Sequence, residues 1–201
     1  MIAIADYGMG NRRSVEKALA HVGAESVITA DHDAIRAADA VILPGVGAFP
    51  EAMRNLERTG LGDVIAELTQ PLLGICLGMQ LLFESSTEHE GAPGLAILPG
   101  TVTRLQAPRL PHIGWNEVGF ERPSKLAEGL PDAAAFYHVH SFACRPSDPA
   151  DVVGTSEYGE RFVSVVERGN VMAVQFHPEK SSRDGLRMLG NFARLAAVAV
   201  A

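Results

Sequence analysis

The sequence predicts an α/β fold of three layers, built on a central, mostly parallel mixed sheet. Residues 1–76 alternate short apolar strands with amphipathic helices, whereas residues 95–177 consist largely of strand-like segments separated by turn residues. The segment 71–76, "PLLGIC", is apolar at successive positions, which is typical of a parallel strand covered on both faces. At 201 residues the chain suits one domain, over residues 1–201.

The first half has the βαβ rhythm of a doubly wound sheet. Its first helix carries Val15, Leu19 and Val22 at helical spacing and closes at Gly23. Ligands of such sheets gather at the carboxyl ends of the strands, where the segments "DYGMGN", "PGVGAF" and "GICLG" lie. The predicted strands are 1–6, 25–30, 40–45 and 71–76, with a helix over 11–23, residues 31–38 between the second and third strands, and a helix over 50–70 that is interrupted near Gly60 and Gly62.

The second half adds further strands and a closing helix. That helix is predicted to start from a serine cap and covers 181–199. The strand-like segments are 94–105, 133–144, 150–159, 161–169 and 171–177.

Composition narrows the class of protein. Hydrophobic residues make up 47% and charged residues 20%, and the formal charge of −7 argues against nonspecific nucleic-acid binding. No apolar run approaches the ~20 residues of a membrane helix, and the N-terminus lacks the basic start of a signal peptide. Two cysteines are too few for a disulfide scaffold, so we expect a cytoplasmic enzyme with free thiols and no membrane partner.

The stretch "LLGICLGMQLLF" places Cys76 between Gly74 and Gly78 at a strand-to-helix turn. This is the form of a nucleophile elbow, whose neighbours need to lack a Cβ so that strand and helix can approach. A thiol with a pKa near 8.5 is mostly protonated at neutral pH, and a helix N-terminus beginning near Leu77 shifts it by little more than about one unit. The elbow therefore needs a histidine. From this stretch alone, Cys76 could equally be a small buried hydrophobe.

Of the seven histidines, His177 in "VMAVQFHPEKS" is the best partner for the cysteine. An apolar strand is predicted to end there, because Pro178 has no backbone N–H to continue the hydrogen bonds of the sheet. Residues i and i+2 of an extended segment point the same way, so Glu179 can orient the imidazole. The alternative is a strand-end histidine beside a solvated glutamate.

Together, "GICLGMQ" and "HPE" resemble the triad-type (class I) glutamine amidotransferases, whose signature is G-x-C-x-G-x-Q followed by H-P-E. The resemblance implies the class I glutamine amidotransferase fold and L-glutamine as substrate. It also implies that Cys76 is the nucleophile, His177 the base and acid, and Glu179 the orienting carboxylate. Glutamine would be hydrolysed to glutamate and ammonia through a cysteine thioester.

Amide hydrolysis through a thioester needs donors for an oxyanion. In an elbow, the residue after the nucleophile supplies a backbone N–H, here that of Leu77. The resemblance implies that the second donor comes from Gly45, Val46 or Gly47, whose glycines let bare backbone approach a ligand.

The glutamine pocket is predicted around Gln80, one helical turn past Cys76 and on the same face. The resemblance also implies substrate contacts at His140 and Ser141. His112, His138 and His140 could form a metal set, but no carboxylate or cysteine joins them at ligand spacing, so we expect no metal and no cofactor. Cys144 has no flanking glycines or acid–base partner and is expected to be structural.

The segments "DYGMGNRRSV", "LPGVGAF", "PHIGWNEV", "YHVHSF" and "HPEKS" resemble the glutaminase subunits of histidine biosynthesis. The resemblance implies a heterodimer with a (β/α)8 cyclase subunit, to which ammonia is passed. The interface candidates by position are Asn11, Trp115, Tyr137 and Lys180. The alternatives are a glutaminase that serves another synthase, a cysteine hydrolase on the same fold, and a noncatalytic interaction protein.

Overall fold

Residues 1–198 are described by the structure, a computed structural model. Among them, no helix combines the length and apolar character needed to cross a membrane. The helices are α1 (Arg12–His21), α2 (His32–Arg36), α3 (Phe49–Thr59), α4 (Leu61–Ala66), α5 (Leu77–Leu81) and α6 (Ser182–Val198), with 3-10 turns at Pro149–Asp151 and Pro178–Lys180. The strands are β1 (Ile2–Ala5), β2 (Ser26–Thr29), β3 (Ala40–Gly45), β4 (Leu72–Cys76), β5 (Phe83–Ser86), β6 (Ala92–Pro93), β7 (Leu98–Arg104), β8 (His112–Phe120), β9 (Ala133–His140), β10 (Phe142–Pro146), β11 (Val152–Tyr158), β12 (Glu160–Arg168) and β13 (Val171–Val174).

A nine-stranded mixed sheet forms the middle of the molecule, in the order β2-β1-β3-β4-β13-β12-β11-β8-β9. The first five strands in this order run parallel to one another, and the remaining pairs are antiparallel. Every residue of β4 is buried, and β4 pairs in parallel with β3 and β13, as its unbroken apolar run predicts.

The parallel strands send alternate residues into two separate cores. On β1, Ile2 and Ile4 join one core and Ala3 and Ala5 join the other. Helices α1 and α6 cover the first core, whereas α2 to α5 cover the second. The three-layer α/β prediction is confirmed.

A second sheet was not predicted. It has the order β10-β7-β5-β6 and adds Val102 and Cys144 to the core that α2 to α5 cover. The predicted strand-like segment 133–144 is in fact two strands, because the chain leaves the large sheet at Ser141 and enters the second sheet at Phe142. The strand β8 was also missed, although it pairs with β9 along almost its whole length.

The predicted break near Gly60 in the helix over 50–70 is confirmed: Gly60 takes a left-handed φ of 68° and caps both α3 and α4, while Gly62 lies inside α4. The predicted end of this helix at 70 was wrong, because α4 ends at Ala66. The closing helix begins at Ser182, and the hydroxyl of Ser181 bonds to other elements: it donates to the His177 carbonyl and accepts from the Tyr137 N–H. The predicted last residue of this helix, 199, lies outside the described residues.

Candidate active site

Cys76 stands at a sharp turn where β4 ends and α5 begins. Its backbone has φ 55° and ψ −110°, a conformation that a residue with a Cβ rarely adopts. A Cβ on Gly78 would lie 1.8 Å from the Leu43 carbonyl oxygen, and one on Gly74 would lie 2.9 Å from the Met79 Cα. Both glycines are therefore needed for the close packing of strand and helix, as the elbow prediction requires.

His177 and Glu179 form a buried pair beside this turn. The His177 Nδ1 lies 2.9 Å from the Glu179 Oε1, and the two side chains are 4% and 1% exposed. The contact was predicted, but the reason given for it was wrong. Strand β13 ends at Val174, and Glu179 lies in the 3-10 turn after His177, so the pair comes from a tight turn and not from an extended segment.

The electrostatics of His177 depend on its two neighbours. Burial lowers the pKa of His177, but hydrogen bonds to Cys76 and Glu179, together with their negative charges, outweigh burial and raise that pKa to about 10. The imidazole is therefore protonated at neutral pH when Cys76 is a thiolate. Helix α5 has five residues, so the imidazolium, and not a long helix dipole, supplies the positive charge beside the Cys76 sulfur.

A cavity of about 290 Å³ opens over the cysteine at the carboxyl ends of the central strands. Glu179 lies behind His177, and Gly45 pairs with Cys76 in the sheet register beside the cavity. Among the predicted site residues, those that line the cavity are Val46, Gly47, Cys76, Leu77, Gln80, His140, Ser141, His177 and Lys180.

A larger cavity, of about 980 Å³, lies at the opposite end of the sheet, near Pro71 and Asn170. Neither cysteine nor histidine is present among the described residues that line it, so it has none of the chemistry of the smaller cavity.

The loop of residues 45–47 packs directly against the elbow. A Cβ on Gly45 would lie 2.7 Å from the Gly78 nitrogen and 2.8 Å from the Leu77 Cβ, so only bare backbone fits there. Gly47 has a φ of 102°, which favours glycine. The predicted oxyanion segment and Leu77 are thus neighbours on the same side of the cysteine.

Gln80 is buried, and its carboxamide has a fixed orientation. Its Nε2 lies 3.1 Å from the Phe142 carbonyl oxygen, which can only accept, and 3.1 Å from the Gln175 Oε1. The nitrogen of Gln80 is therefore bound by the protein, and the Oε1 remains to accept a hydrogen bond from a ligand. Gln80 is the polar residue of the apolar run 72–83 around which the glutamine pocket was predicted.

His140 lines the cavity, but both of its ring nitrogens are already bound. Its Nδ1 donates to the Phe142 carbonyl at 2.9 Å, so its Nε2 accepts from the His112 Nδ1 at 3.1 Å. Burial lowers the pKa of His140 to about 4, which keeps this ring neutral. His140 therefore shapes the cavity wall, and its imidazole has no polar atom left for a substrate.

The histidines of the possible metal set are close together but do not form a metal site. Burial and the neighbouring His140 and His112 lower the pKa of His138 to about 3, and its Nδ1 bonds to the Phe136 carbonyl. Within residues 1–198, no group of three or more potential ligands is arranged to hold a metal ion.

Sequence reasoning missed two polar residues of this site. Glu88 lines the cavity, and its Oε2 accepts a hydrogen bond of 2.7 Å from the Phe49 N–H. Nothing in the acidic segment around Glu88 distinguishes it from Glu84 or Glu90. The Gln175 Nε2 lies 3.8 Å from the Cys76 sulfur. Here the sequence carried a signal, because Gln175 interrupts the apolar run that continues from β13, as Gln80 interrupts an apolar helix.

Two of the four interface candidates, Trp115 and Tyr137, lie opposite each other on the β8–β9 pair, in which Val139 lines the cavity. Trp115 is 56% exposed and packs edge-on against Tyr137, with ring centroids 6.3 Å apart. Its neighbour on the same face, Ile113, is 60% exposed. Lys180 is exposed at the rim of the cavity, and Asn11 is half-buried at the start of α1.

The two thiols should react at very different rates. Cys76 lines the cavity next to His177, whereas Cys144 is fully buried and burial raises its pKa well above the ordinary value. We expect brief iodoacetamide treatment to alkylate Cys76 first, and His177→Ala to remove most of that preference. Peptide mapping measures both, with His89→Ala in an exposed loop as the control. Faster labelling of Cys144 in the parent protein would contradict the assignment of Cys76 as the reactive thiol.

A cysteine at a strained turn, beside a histidine in a cavity at the carboxyl ends of an α/β sheet, is suited to nucleophilic attack on a carbonyl or amide group. The glutamine amidotransferase class-I family model matches residues 3–195, and the chain belongs to this family. It is 52% identical, over 198 residues, to the imidazole glycerol phosphate synthase subunit HisH of Moorella thermoacetica, covering 96% of this chain and 94% of the relative. The HisH subunit of Aquifex aeolicus is 50% identical over 198 residues, with 96% of both chains covered.

Solved structures support the same fold. A crystal structure of a glutamine amidotransferase superposes with a TM-score of 0.77 at 21% identity, covering 98% of both chains. A putative GMP synthase protein from Thermoplasma acidophilum gives a TM-score of 0.74 at 22% identity, covering 98% of this chain and 94% of that one. At these identities the likeness concerns the fold alone.

Proposed function

We propose that this chain is the glutaminase subunit of an imidazole glycerol phosphate synthase. It hydrolyses L-glutamine to glutamate and ammonia and passes the ammonia to a (β/α)8 cyclase subunit in the cytoplasm. The complex converts phosphoribulosyl-formimino-AICAR-phosphate to imidazole glycerol phosphate and AICAR, in histidine biosynthesis. The observation that carries the chemistry is the 290 Å³ cavity in which Cys76 meets the His177–Glu179 pair. The identity to HisH subunits supports the choice of pathway.

In the first half-reaction, the Cys76 thiolate attacks the carboxamide carbon of glutamine. The tetrahedral oxyanion lies against the backbone N–H of Leu77 and a second N–H from residues 45–47. His177 gives its proton to the leaving nitrogen, so ammonia departs and a thioester remains. Glu179 holds the Nδ1–H of His177 at 2.9 Å and keeps the other ring nitrogen directed at the reaction.

In the second half-reaction, neutral His177 takes a proton from water, which attacks the thioester carbonyl. The same donors hold the second oxyanion, and its collapse releases glutamate and restores the thiolate next to protonated His177. The free Oε1 of Gln80 and the carboxylate of Glu88 are acceptors in the cavity and suit the N–H groups of glutamine. Glu88 is the better match for the charged ammonium of the substrate.

The exposed apolar side chains near the cavity support docking of the cyclase. Ile113, Trp115 and Val46 are the large hydrophobic residues exposed in this region, and clustered apolar surface marks an interaction site. A partner seated there would cover the cavity and receive ammonia directly.

Partner choice is tested by co-purifying the tagged chain with the barrel cyclase encoded in the same genome. We expect a heterodimer that makes imidazole glycerol phosphate from glutamine. Trp115→Ser should weaken the complex by roughly 30-fold in Kd, because a buried Trp at an interface is typically worth about 2 kcal/mol or more. Glu128→Ser, at the opposite end of the sheet and also exposed, is the control. Co-purification with a different synthase, and no binding to the cyclase, would contradict the proposal and favour a glutaminase of another pathway.

A further inference from the structure

Gln175 is a fully buried carboxamide next to the nucleophile. It follows β13, whose Val174 pairs with Ile75 in the parallel register, so Gln175 lies beside Cys76 at the ends of the two strands. Burying a carboxamide is costly unless its polar atoms are bonded. Its side chain bonds to Gln80 and to the Cys76 sulfur. An apolar side chain of the same size would pack here without that cost, so the amide needs a chemical explanation.

The direction of each hydrogen bond follows from the Phe142 carbonyl, which can only accept. It receives the Gln80 Nε2 at 3.1 Å and the His140 Nδ1 at 2.9 Å. Because the Gln80 nitrogen also lies 3.1 Å from one end of the Gln175 carboxamide, that end must be the oxygen. The other end of Gln175 is therefore the NH2 group, and it is directed at the Cys76 Sγ at 3.8 Å.

We propose that Gln175 is a further catalytic group, whose Nε2–H donates to the Cys76 sulfur and stabilises the thiolate. The inference rests on the proposed role of Cys76 as nucleophile. A hydrogen bond to a charged acceptor is stronger than one to a neutral acceptor, so this donor stabilises the thiolate more than the thiol or the thioester. It acts twice in each turnover, on the resting nucleophile and on the thiolate that leaves when the thioester is hydrolysed.

The same chain of amides connects the nucleophile to the glutamine pocket. Gln80 presents its Oε1 to the cavity and uses its Nε2 to hold the oxygen of Gln175. Gln80 thus acts on the sulfur as a positioning residue, because it keeps the NH2 of Gln175 turned toward Cys76. Without it, the carboxamide of Gln175 could rotate and present its oxygen to the sulfur.

The titratable groups that face Cys76 differ from Gln175 in what they contribute to the sulfur. Tyr7 donates to the Pro44 carbonyl, and burial together with the Cys76 charge raises its pKa, so it stays neutral. Burial also keeps Cys144 neutral. Glu88 and Lys180 lie further round the same cavity. His177 is the charged neighbour of the sulfur, and Gln175 adds an uncharged donor from the adjacent strand.

The test is the pH dependence of Cys76 alkylation by iodoacetamide in the intact chain. Gln175→Met keeps the size and removes the donor. We expect its alkylation profile to move to higher pH and its rate at pH 7 to fall roughly tenfold to a hundredfold, the range for a hydrogen bond to a charged group. Gln80→Met should move the profile in the same direction by less. Asn191→Leu removes another buried carboxamide, one that bonds to Leu126 and Glu128, and should leave the profile unchanged.

Cys144 reports folding in the same experiment, because it is labelled only when the core opens. If labelling of Cys144 shows that Gln175→Met does not fold, the alkylation profile of Gln80→Met is used instead. A Cys76 alkylation profile equal to that of the parent protein would overturn the role of Gln175 and leave the glutaminase proposal intact. If Cys76 of the parent protein is not the faster-reacting thiol, both proposals fail together.

Discussion

Cys76→Ala should abolish synthesis from glutamine by the complex and leave synthesis from added ammonium salts intact. Under the proposed function the cyclase needs only free ammonia, and the thiol acts only in releasing it. Loss of a nucleophile that works as part of a triad typically lowers kcat by about 10⁶-fold. The remaining glutamine-dependent rate should therefore be below detection, whereas the ammonia-dependent rate should match that of the parent complex.

The matched control is Cys144→Ala. Cys144 lies in the core between the two sheets and does not line the cavity, so this variant should keep most of the glutamine-dependent rate. The measurement is product formation from each nitrogen source by the purified complex. Product from glutamine in Cys76→Ala, at a rate near that of Cys144→Ala, would show that Cys76 is not the nucleophile.

The elbow could be predicted from the sequence because its cause is local. A cysteine between two glycines at the end of a fully apolar strand is typical of a tight strand-to-helix turn, and the steric reason is visible in Gly78, which lies against the Leu43 carbonyl. The contact between His177 and Glu179 was also predicted. The reason differs from the predicted one, because His177 is the extended residue that precedes a 3-10 turn and Glu179 lies inside that turn.

What the sequence could not provide depends on tertiary contacts. Strand β8 was missed because its apolar residues point outward and a polar residue points inward. Ile113 and Trp115 face solvent, whereas His112 is buried against other histidines. An inward histidine and an outward tryptophan do not follow the usual hydrophobic pattern. The second sheet was missed because β5 and β6 have four and two residues, too few for a period to be read.

The same limit explains the polar groups around the nucleophile. Glu88 reaches the cavity because its carboxylate bonds to the Phe49 N–H at the start of α3, which is a contact across 39 positions of the chain. Gln175 reaches Cys76 across 99 positions, through the pairing of β13 with β4. The spacing of residues in the sequence carries no information on either contact.

The isolated chain should be a poor glutaminase that the cyclase with its bound nucleotide switches on. Loss of one oxyanion donor costs about 2.7–4 kcal/mol, or roughly a hundred- to a thousand-fold in rate. An incomplete oxyanion hole would therefore silence the enzyme with the triad unchanged. The segment that we propose as the source of the second donor is suited to this switch, because Gly45 and Gly47 flank Val46, which is exposed on the side where we expect the partner.

Two residues near the interface candidate Asn11 contact the loop 45–47 or the residue just before it. Tyr7 donates to the Pro44 carbonyl at 2.8 Å, and Met9 packs so close to Gly47 that a Cβ there would lie 2.7 Å from its methyl group. We therefore expect a partner that contacts the 7–11 segment to shift the backbone of residues 45–47, and with it the proposed second donor.

The measurement is glutamate release by the isolated chain, by the complex, and by the complex with acceptor nucleotide. We expect the last rate to exceed the first by about a hundredfold or more, the contribution of one oxyanion donor. Gly47→Ala should remove most of this stimulation, because its φ of 102° is strained for alanine. Gly23→Ala has the same kind of positive φ with no atom within 4 Å and lies after α1, so it should be stimulated normally. Equal turnover in all three states would rule out the switch and favour an independent hydrolase.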